Sequence, residues 1–381
     1  MGAAGKATAY LDYNATAPCR PAAAQAAAQA LGAPGNPSSI HAAGRAAHAI
    51  LERARRAVAA LAGADPAEVV FTSGATEADN LALRATGAER VLVSAVEHDA
   101  VLAARSDREI LPVDEAGLID LEALDAALGP VEAAADARPG PTTLVSVMAV
   151  NNETGVIQPI DAVAQRVRAA GARLHVDAVQ AAGRVDLRPI WAAADYLSLS
   201  GHKMGGPPGV GALLVRDGAP LQAEALGGGQ ERRRRAGTEN LPGIAGFGAA
   251  AAELAERWPE EIARVAALRD RLEAGAKRIA PAVRIAGERA PRVGSTSCLA
   301  LAGLAAEKQV MALDLAGVAV SAGAACSSGK VTRSHVLHAM GWPDAWAGAA
   351  IRVSLGWASS AADVDRFLAA YEKLAAKAQA A

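Results

Sequence analysis

The chain has 381 residues with 38 basic and 40 acidic side chains, a formal net charge of −2, which excludes a protein built mainly to grip nucleic acid through phosphates. Hydrophobic residues make up 52% but aromatic ones only 3%, the mark of an alanine-rich, helix-rich globular chain long enough for two domains. Three cysteines, Cys19, Cys298 and Cys326, without CxxC pairing argue against a disulfide framework and a structural zinc site.

The opening MGAAGKATAYLDYNATAP lacks the apolar core of a secretory signal, and Lys6 stands where a myristoylation signal takes Ser or Thr, so a cytoplasmic location is expected. From about residue 20 to 215, Ala-rich helical stretches alternate with the apolar runs Val91–Val93, Leu144–Val147, Leu174–Val176 and Tyr196–Leu199. This is the pattern of a parallel sheet covered by helices on both faces, whose ligands sit beyond the carboxyl ends of the strands. The most apolar run, Leu241 to Ala252, contains Pro242 and three glycines, so no membrane span is expected. A long helical pattern, Ile244 to Ile279, forms a candidate interdomain spine, and strand-like Ser297–Leu301 and Ile351–Leu355 suggest a smaller α+β domain completed by the C-terminus.

Residues that can carry chemistry cluster just after the predicted strands. Phe71-Thr-Ser-Gly74-Ala75-Thr76 reads as strand, turn and helix start, where backbone N–H groups and the Thr76 hydroxyl make either an anion site or an ordinary cap. His98 ends a strand-like run, placed to stack on a planar cofactor and move protons, or to serve the core. Asn151-Asn152-Glu153-Thr154-Gly155 follows another run, its amides holding a ligand oxygen or building a turn. Asp177 closes Leu174-His175-Val176, and Gln180 lies one turn further on.

Lysine is scarce, at positions 6, 203, 277, 308, 330, 373 and 377, and Lys203 alone stands where an apolar strand gives way to a glycine-rich loop. There it can act as a Schiff-base nucleophile or remain a surface lysine. Beside such a lysine, Asp177 gains a specific task, keeping the ring nitrogen of pyridoxal 5'-phosphate (PLP) protonated. Cys326 lies among small residues, Ser321-Ala-Gly-Ala-Ala-Cys326-Ser-Ser-Gly-Lys330, which suits a reactive thiol on an exposed loop; Cys298 reads as a core thiol and Cys19 as part of a turn. Arg352, within an alternating apolar run, is either a carboxylate clamp or half of an ion pair. Arg232–Arg235 read as a solvated face, and His335 with His338 lack the further ligands of a metal site.

Over nearly its whole length the chain resembles the PLP-dependent cysteine desulfurases of the class V aminotransferase superfamily. The strings that carry the likeness are FTSGATEADN, VEHDAV, VNNETG, HVDAVQAAG, SLSGHK, GGGQE with RAGTEN, and SAGAACSSGK. The resemblance implies the α/β fold type I of PLP-dependent transferases. A mostly parallel seven-stranded sheet between helices forms a large domain over 15–255, and a smaller α+β domain over 1–14 and 256–381 carries the cysteine loop. It implies a sulfurtransferase that converts L-cysteine to L-alanine and takes sulfur onto Cys326 as a persulfide.

Lys203 matches the Schiff-base lysine, Asp177 the partner of the pyridine nitrogen, Gln180 the donor to the phenolic oxygen and His98 the stacked acid/base. Ala75, Thr76, Ser200 and His202 match the phosphate cradle, with Thr238 reaching a phosphate across a homodimer interface. Asn152 and Arg352 match groups that hold the substrate. A sulfur-acceptor protein such as an iron–sulfur scaffold is the implied partner, with no metal of its own. Arg233 departs from the usual Gly, and Ala236, Ala322 and Ala324 from serines. A selenocysteine lyase or another class V PLP enzyme would keep Lys203 and Asp177; a scaffold binding PLP structurally would release no alanine.

Overall fold

The structure, a computed structural model, describes residues 8–129, 142–323 and 333–379; Cys326 and Ala324 lie outside the described residues. Seven strands form one sheet: β1 (Val69–Thr72), β2 (Arg90–Ser94), β3 (Glu109–Leu111), β4 (Thr143–Ser146), β5 (Arg173–Asp177), β6 (Tyr196–Ser200) and β7 (Gly211–Val215). Their order is β1-β7-β6-β5-β4-β2-β3, and within it β7 alone runs against its neighbours. Every residue of β1, β6 and β7 is buried, as expected of a sheet covered on both faces. The apolar runs of the sequence are thus strands; the edge strand β3, with two of its three residues exposed, carries no such run.

Helices α1 (Pro21–Gly32) and α2 (Ala42–Ala62) pack against α4 (Leu241–Ile279), with α3 (Ala75–Arg84) following β1. The 39-residue α4 starts three residues before the expected spine, because Pro242 sits in its first turn, where a missing N–H costs nothing, and Asn240 caps it through Gly243 N (3.2 Å). Small residues let its first half approach closely: a Cβ on Gly248 would lie 2.5 Å from Ala54 Cα. The second half enters another core, where Leu272 and Ala276 meet Leu299, Ile351, Phe367 and Tyr371. That core is built on a four-stranded antiparallel sheet in the order Ser321–Ala322, Ala350–Ser354, Thr296–Ala300, Arg284–Ile285, and on α5 (Ala361–Gln379). The N-terminal Ala9–Tyr10 returns to pair in parallel with Val318–Ala319, a contact across some 300 residues that no local pattern announces.

The basic run is only partly a solvated face. Arg232 and Arg233 are exposed, but Arg235 reaches Glu77 (2.8 Å), and the adjoining Glu231 is buried between both terminal nitrogens of Arg55 (2.8 and 2.9 Å) and the Phe71 N–H (2.8 Å). Glu231, Arg232 and Arg233 all have left-handed backbone, with φ of 45°, 58° and 65°. Arg233→Gly is expected to stabilise the fold by about 1 kcal/mol by removing this strain, and Arg55→Leu to destabilise it by about 3–5 kcal/mol by leaving Glu231 buried without its cation. Urea unfolding midpoints check both.

Candidate active site

The turns after β1, β2, β4, β5 and β6 converge on one cleft at the carboxyl edge of the sheet, enclosing about 830 Å³ of open space. One wall is the start of α3. Gly74, its N-cap, supplies no side-chain cap, so the amides of the first turn face the cleft together with the exposed Thr76. The turn presses so hard on β7 that a Cβ on Gly211 would fall 2.7 Å from the Gly74 carbonyl carbon, whereas one on Gly74 would meet only open space. Ser200 and His202 line the same cleft; burial, then Lys203, pushes His202 down to about 4, so its ring is neutral and hydrogen-bonds Thr16 Oγ1 at 3.1 Å.

The floor is acidic. Asp177 accepts from Val179 N (2.9 Å), and burial holds its carboxyl above the usual range against the pull of His98 and Lys203. Asp79, one helical turn beyond Thr76, lines the same cleft; burial and then Asp177 raise it strongly, and its Oδ1 has no hydrogen-bond partner. His175 Nε2 is 3.6 Å away but offers no charge: its ring nitrogens are taken by Ser146 (2.8 Å) and Ser198 (2.9 Å), and burial pushes it down to about 3. Glu97, accepting from Met148 N (2.6 Å), is raised by burial and then by Asp177. Three buried carboxyls with so little compensation cannot all ionise.

Opposite the floor, Lys203 Nζ donates to the carbonyls of Asn14 (2.6 Å) and Ala15 (2.8 Å). Gln180 Nε2 also donates to Asn14 O (3.1 Å), leaving Oε1 buried without a partner. His98 caps the short helix Asp99–Leu102, its Nδ1 accepting from Ala100 N (3.1 Å), which leaves Nε2 as the proton-bearing nitrogen. Asn152 lines the cleft as well.

Two of the expected residues stand apart from these. Arg352 is 1% exposed and does not line the cleft; of its two readings the structure displays an ion pair, Nη2 to Asp12 Oδ1 at 3.0 Å, with Nη1 donating to Asn152 O (3.3 Å) and Nε unpartnered. Thr238 is exposed on the surface, and Cys326 lies outside the described residues. Cys298 is a buried thiol pushed up to about 12 by burial and then by Glu153, and Cys19 is exposed. His335 Nε2 meets Glu97 O (2.9 Å), while His338 faces Asp344 (3.5 Å). Asn14, Asp79, Glu97 and Asp12 were not singled out from the sequence; the polar Glu97 inside an apolar run and the Thr76–Asp79 helical spacing were the available signals.

A cleft with helix-start amides at one end, a carboxylate floor and a lysine opposite defines an α/β enzyme that holds a planar, anion-tailed cofactor. The class-V aminotransferase family model matches residues 9–367, and the chain belongs to that family, whose members use PLP. It is 46% identical over 374 residues to a cysteine desulfurase of Cereibacter sphaeroides, covering 94% of this chain and 93% of that one. With a cysteine desulfurase of Bradyrhizobium diazoefficiens it shares 43% over 389 residues, 98% and 96% of the two chains. Among solved structures, the NifS-like protein of Rickettsia africae ESF-5 superposes with a TM-score of 0.87 at 30% identity, covering 96% of this chain and 99% of that one.

The residues present fit PLP: open space above Gly74 beside the α3 amides suits a phosphate, the Asp177 carboxyl suits a ring nitrogen that carries a proton, and Lys203 faces the same space. Because Asp79 is raised in the fold, the native chain holds a proton there that the unfolded chain releases. Stability in wild type therefore falls as pH rises above the ordinary Asp range towards the folded value. Asp79→Asn is expected to make the decline of Tm between pH 5 and pH 8 shallower than in wild type, measured by thermal unfolding.

Proposed function

We propose that the chain is a PLP-dependent cysteine desulfurase that converts L-cysteine to L-alanine and takes the sulfur onto Cys326. The observation that carries this reading is the presence of Lys203 and Asp177 on one cleft in a chain 46% identical to a cysteine desulfurase. Residues 15–255 would form the cofactor-holding unit, and 1–14 with 256–381 the unit that bears the thiol.

The α3 amides of Ala75 and Thr76, the Thr76 hydroxyl, Ser200 and His202 would hold the phosphate. Asp177 would hold a proton on the ring nitrogen, and the second amide hydrogen of Gln180 is available to the phenolic oxygen. When bound, PLP supplies the electron sink for the charge left at the substrate Cα. Lys203 would be the covalent anchor and the base that removes the Cα proton, while His98, whose Nε2 carries a proton, would deliver one to Cβ. Asn152 orients the substrate. Arg352 draws its carboxylate, with Asp12 already occupying one face of the guanidinium.

The Cys326 thiolate attacks the sulfur of the bound cysteine; the new S–S bond forms as the Cβ–S bond breaks, and the electron pair passes to the substrate carbons, which take up one proton at Cβ and regain one at Cα to become alanine. Thr238, exposed a few residues beyond the strained arginine turn, would serve a second copy of the chain in a homodimer. The persulfide would pass to an acceptor such as an iron–sulfur scaffold protein in the cytoplasm. Among the described residues no helix is long and apolar enough to cross a membrane.

Incubating the holoenzyme with L-cysteine and a thiol reductant is expected to yield alanine and sulfide in equal amounts. Cys326→Ala should lose about 100-fold or more of both while keeping the yellow cofactor band, and Lys203→Ala should lose the band and the turnover together. Undiminished turnover by Cys326→Ala would instead favour a selenocysteine lyase or another class V chemistry.

A further inference from the structure

Helix α4 passes from one core to the other, with Leu254 in the first, Val265 in the second and Pro259 between them. At this junction neither core fills the space. A cavity of about 510 Å³ remains, lined by Leu254, Ile262 and Val265 of α4 together with Tyr13, Arg184 and Ser295. Lys203 lines both this cavity and the cofactor cleft, whereas the six residues just named do not line the cleft.

Two polar groups on its wall lack what their chemistry asks for. Arg184 donates from Nη1 to Gln180 O (2.9 Å) and from Nη2 to Asn14 Oδ1 (3.0 Å), both uncharged acceptors, and among the described residues no carboxylate pairs with it. Burial and then Arg352 bring it down to about 10, so it is still a cation at neutral pH. Ser295 is 6% exposed, and its Oγ is buried without a hydrogen-bond partner. A buried guanidinium without a counter-charge and a buried hydroxyl without an acceptor both call for an anion. The other charges on the cavity are already engaged. Glu261 pairs with Arg20 (2.7 Å), which also holds Glu253 (2.9 Å) and lies over the Trp357 ring (5.5 Å), and Lys203 donates to the carbonyls of Asn14 and Ala15.

We propose that this cavity is a second ligand site, for a small carboxylate with an aromatic or branched aliphatic body. The carboxylate takes Arg184 and the Ser295 hydroxyl, and the body lies among Tyr13, Leu254, Ile262 and Val265. Apolar walls with a few convergent polar groups, in a volume of this size, are what small-molecule sites offer. A phosphate fits less well, since one guanidinium and one hydroxyl leave most of its oxygens without donors among apolar walls. Such a site would exist whichever reaction the cleft runs.

The test titrates the holoenzyme with phenylacetate as probe and phenylacetamide as its uncharged counterpart, followed by calorimetry and by the cofactor absorbance. Phenylacetate is expected to bind saturably, with a Kd on the order of 0.1–1 mM for a ligand of its size, and phenylacetamide at least about 10-fold more weakly. Ile262→Trp, which fills the cavity from a half-buried position on α4, should weaken phenylacetate at least about 10-fold at an unchanged cofactor band. Arg184→Met should weaken phenylacetate by as much and leave the amide as it was. No saturable binding in wild type, equal binding of acid and amide, or undiminished binding in Ile262→Trp would overturn the proposal. So would loss of the cofactor band as phenylacetate binds, which would put the probe in the cofactor cleft. Should either variant fail to fold, the other decides together with the comparison of acid and amide in wild type.

Discussion

Asn14 satisfies all its polar groups at once, and the cleft depends on it. Its N–H donates to Ser354 Oγ, its carbonyl accepts from Lys203 and Gln180, its Oδ1 accepts from Arg184, and its Nδ2 donates to Asn152 O and Thr296 Oγ1. Side chains or backbone from the main sheet, the small sheet and the N-terminal segment thus meet on one residue that is 2% exposed. A buried network satisfied to this degree admits one arrangement of its members, because any displacement leaves a polar atom without a partner. Lys203 and Gln180 point where they do because the Asn14 carbonyl is fixed.

Around that hub the cleft is short of cations. Asp177, Asp79 and Glu97 are buried together, His175 is held neutral by burial, and Arg184 is itself brought down to about 10 by burial and then by Arg352. A pocket so arranged welcomes a ligand that brings positive charge to its floor and negative charge to the helix start at its rim. The polarity of the site runs along one axis, from the α3 amides to Asp177.

The parts legible in the sequence are those whose cause is local. Apolar runs of three or four residues lie within β2, β4, β5 and β6, and chemistry placed at their carboxyl ends follows from the geometry of parallel sheets. Lys203 and Asp177 stand out because a charge at the end of such a run needs a reason. The rest depends on distance along the chain. Arg352 kept two readings until the fold brought Asp12 beside it from 340 residues away, and Asn14 has partners 138 to 340 residues distant. The Arg232–Arg235 run is only partly a solvated face because Arg235 finds Glu77, 158 residues away, only in three dimensions.

The helix α4 has a mechanical consequence. At about 1.5 Å per residue its 39 residues make a rod roughly 60 Å long, with Pro259 interrupting the hydrogen-bond ladder between a half embedded among α1, α2 and the main sheet and a half among α5 and the small sheet. Neither core can melt without stripping half of the same rod, so their unfolding is thermodynamically joined. The rod makes cooperativity a property of the whole chain.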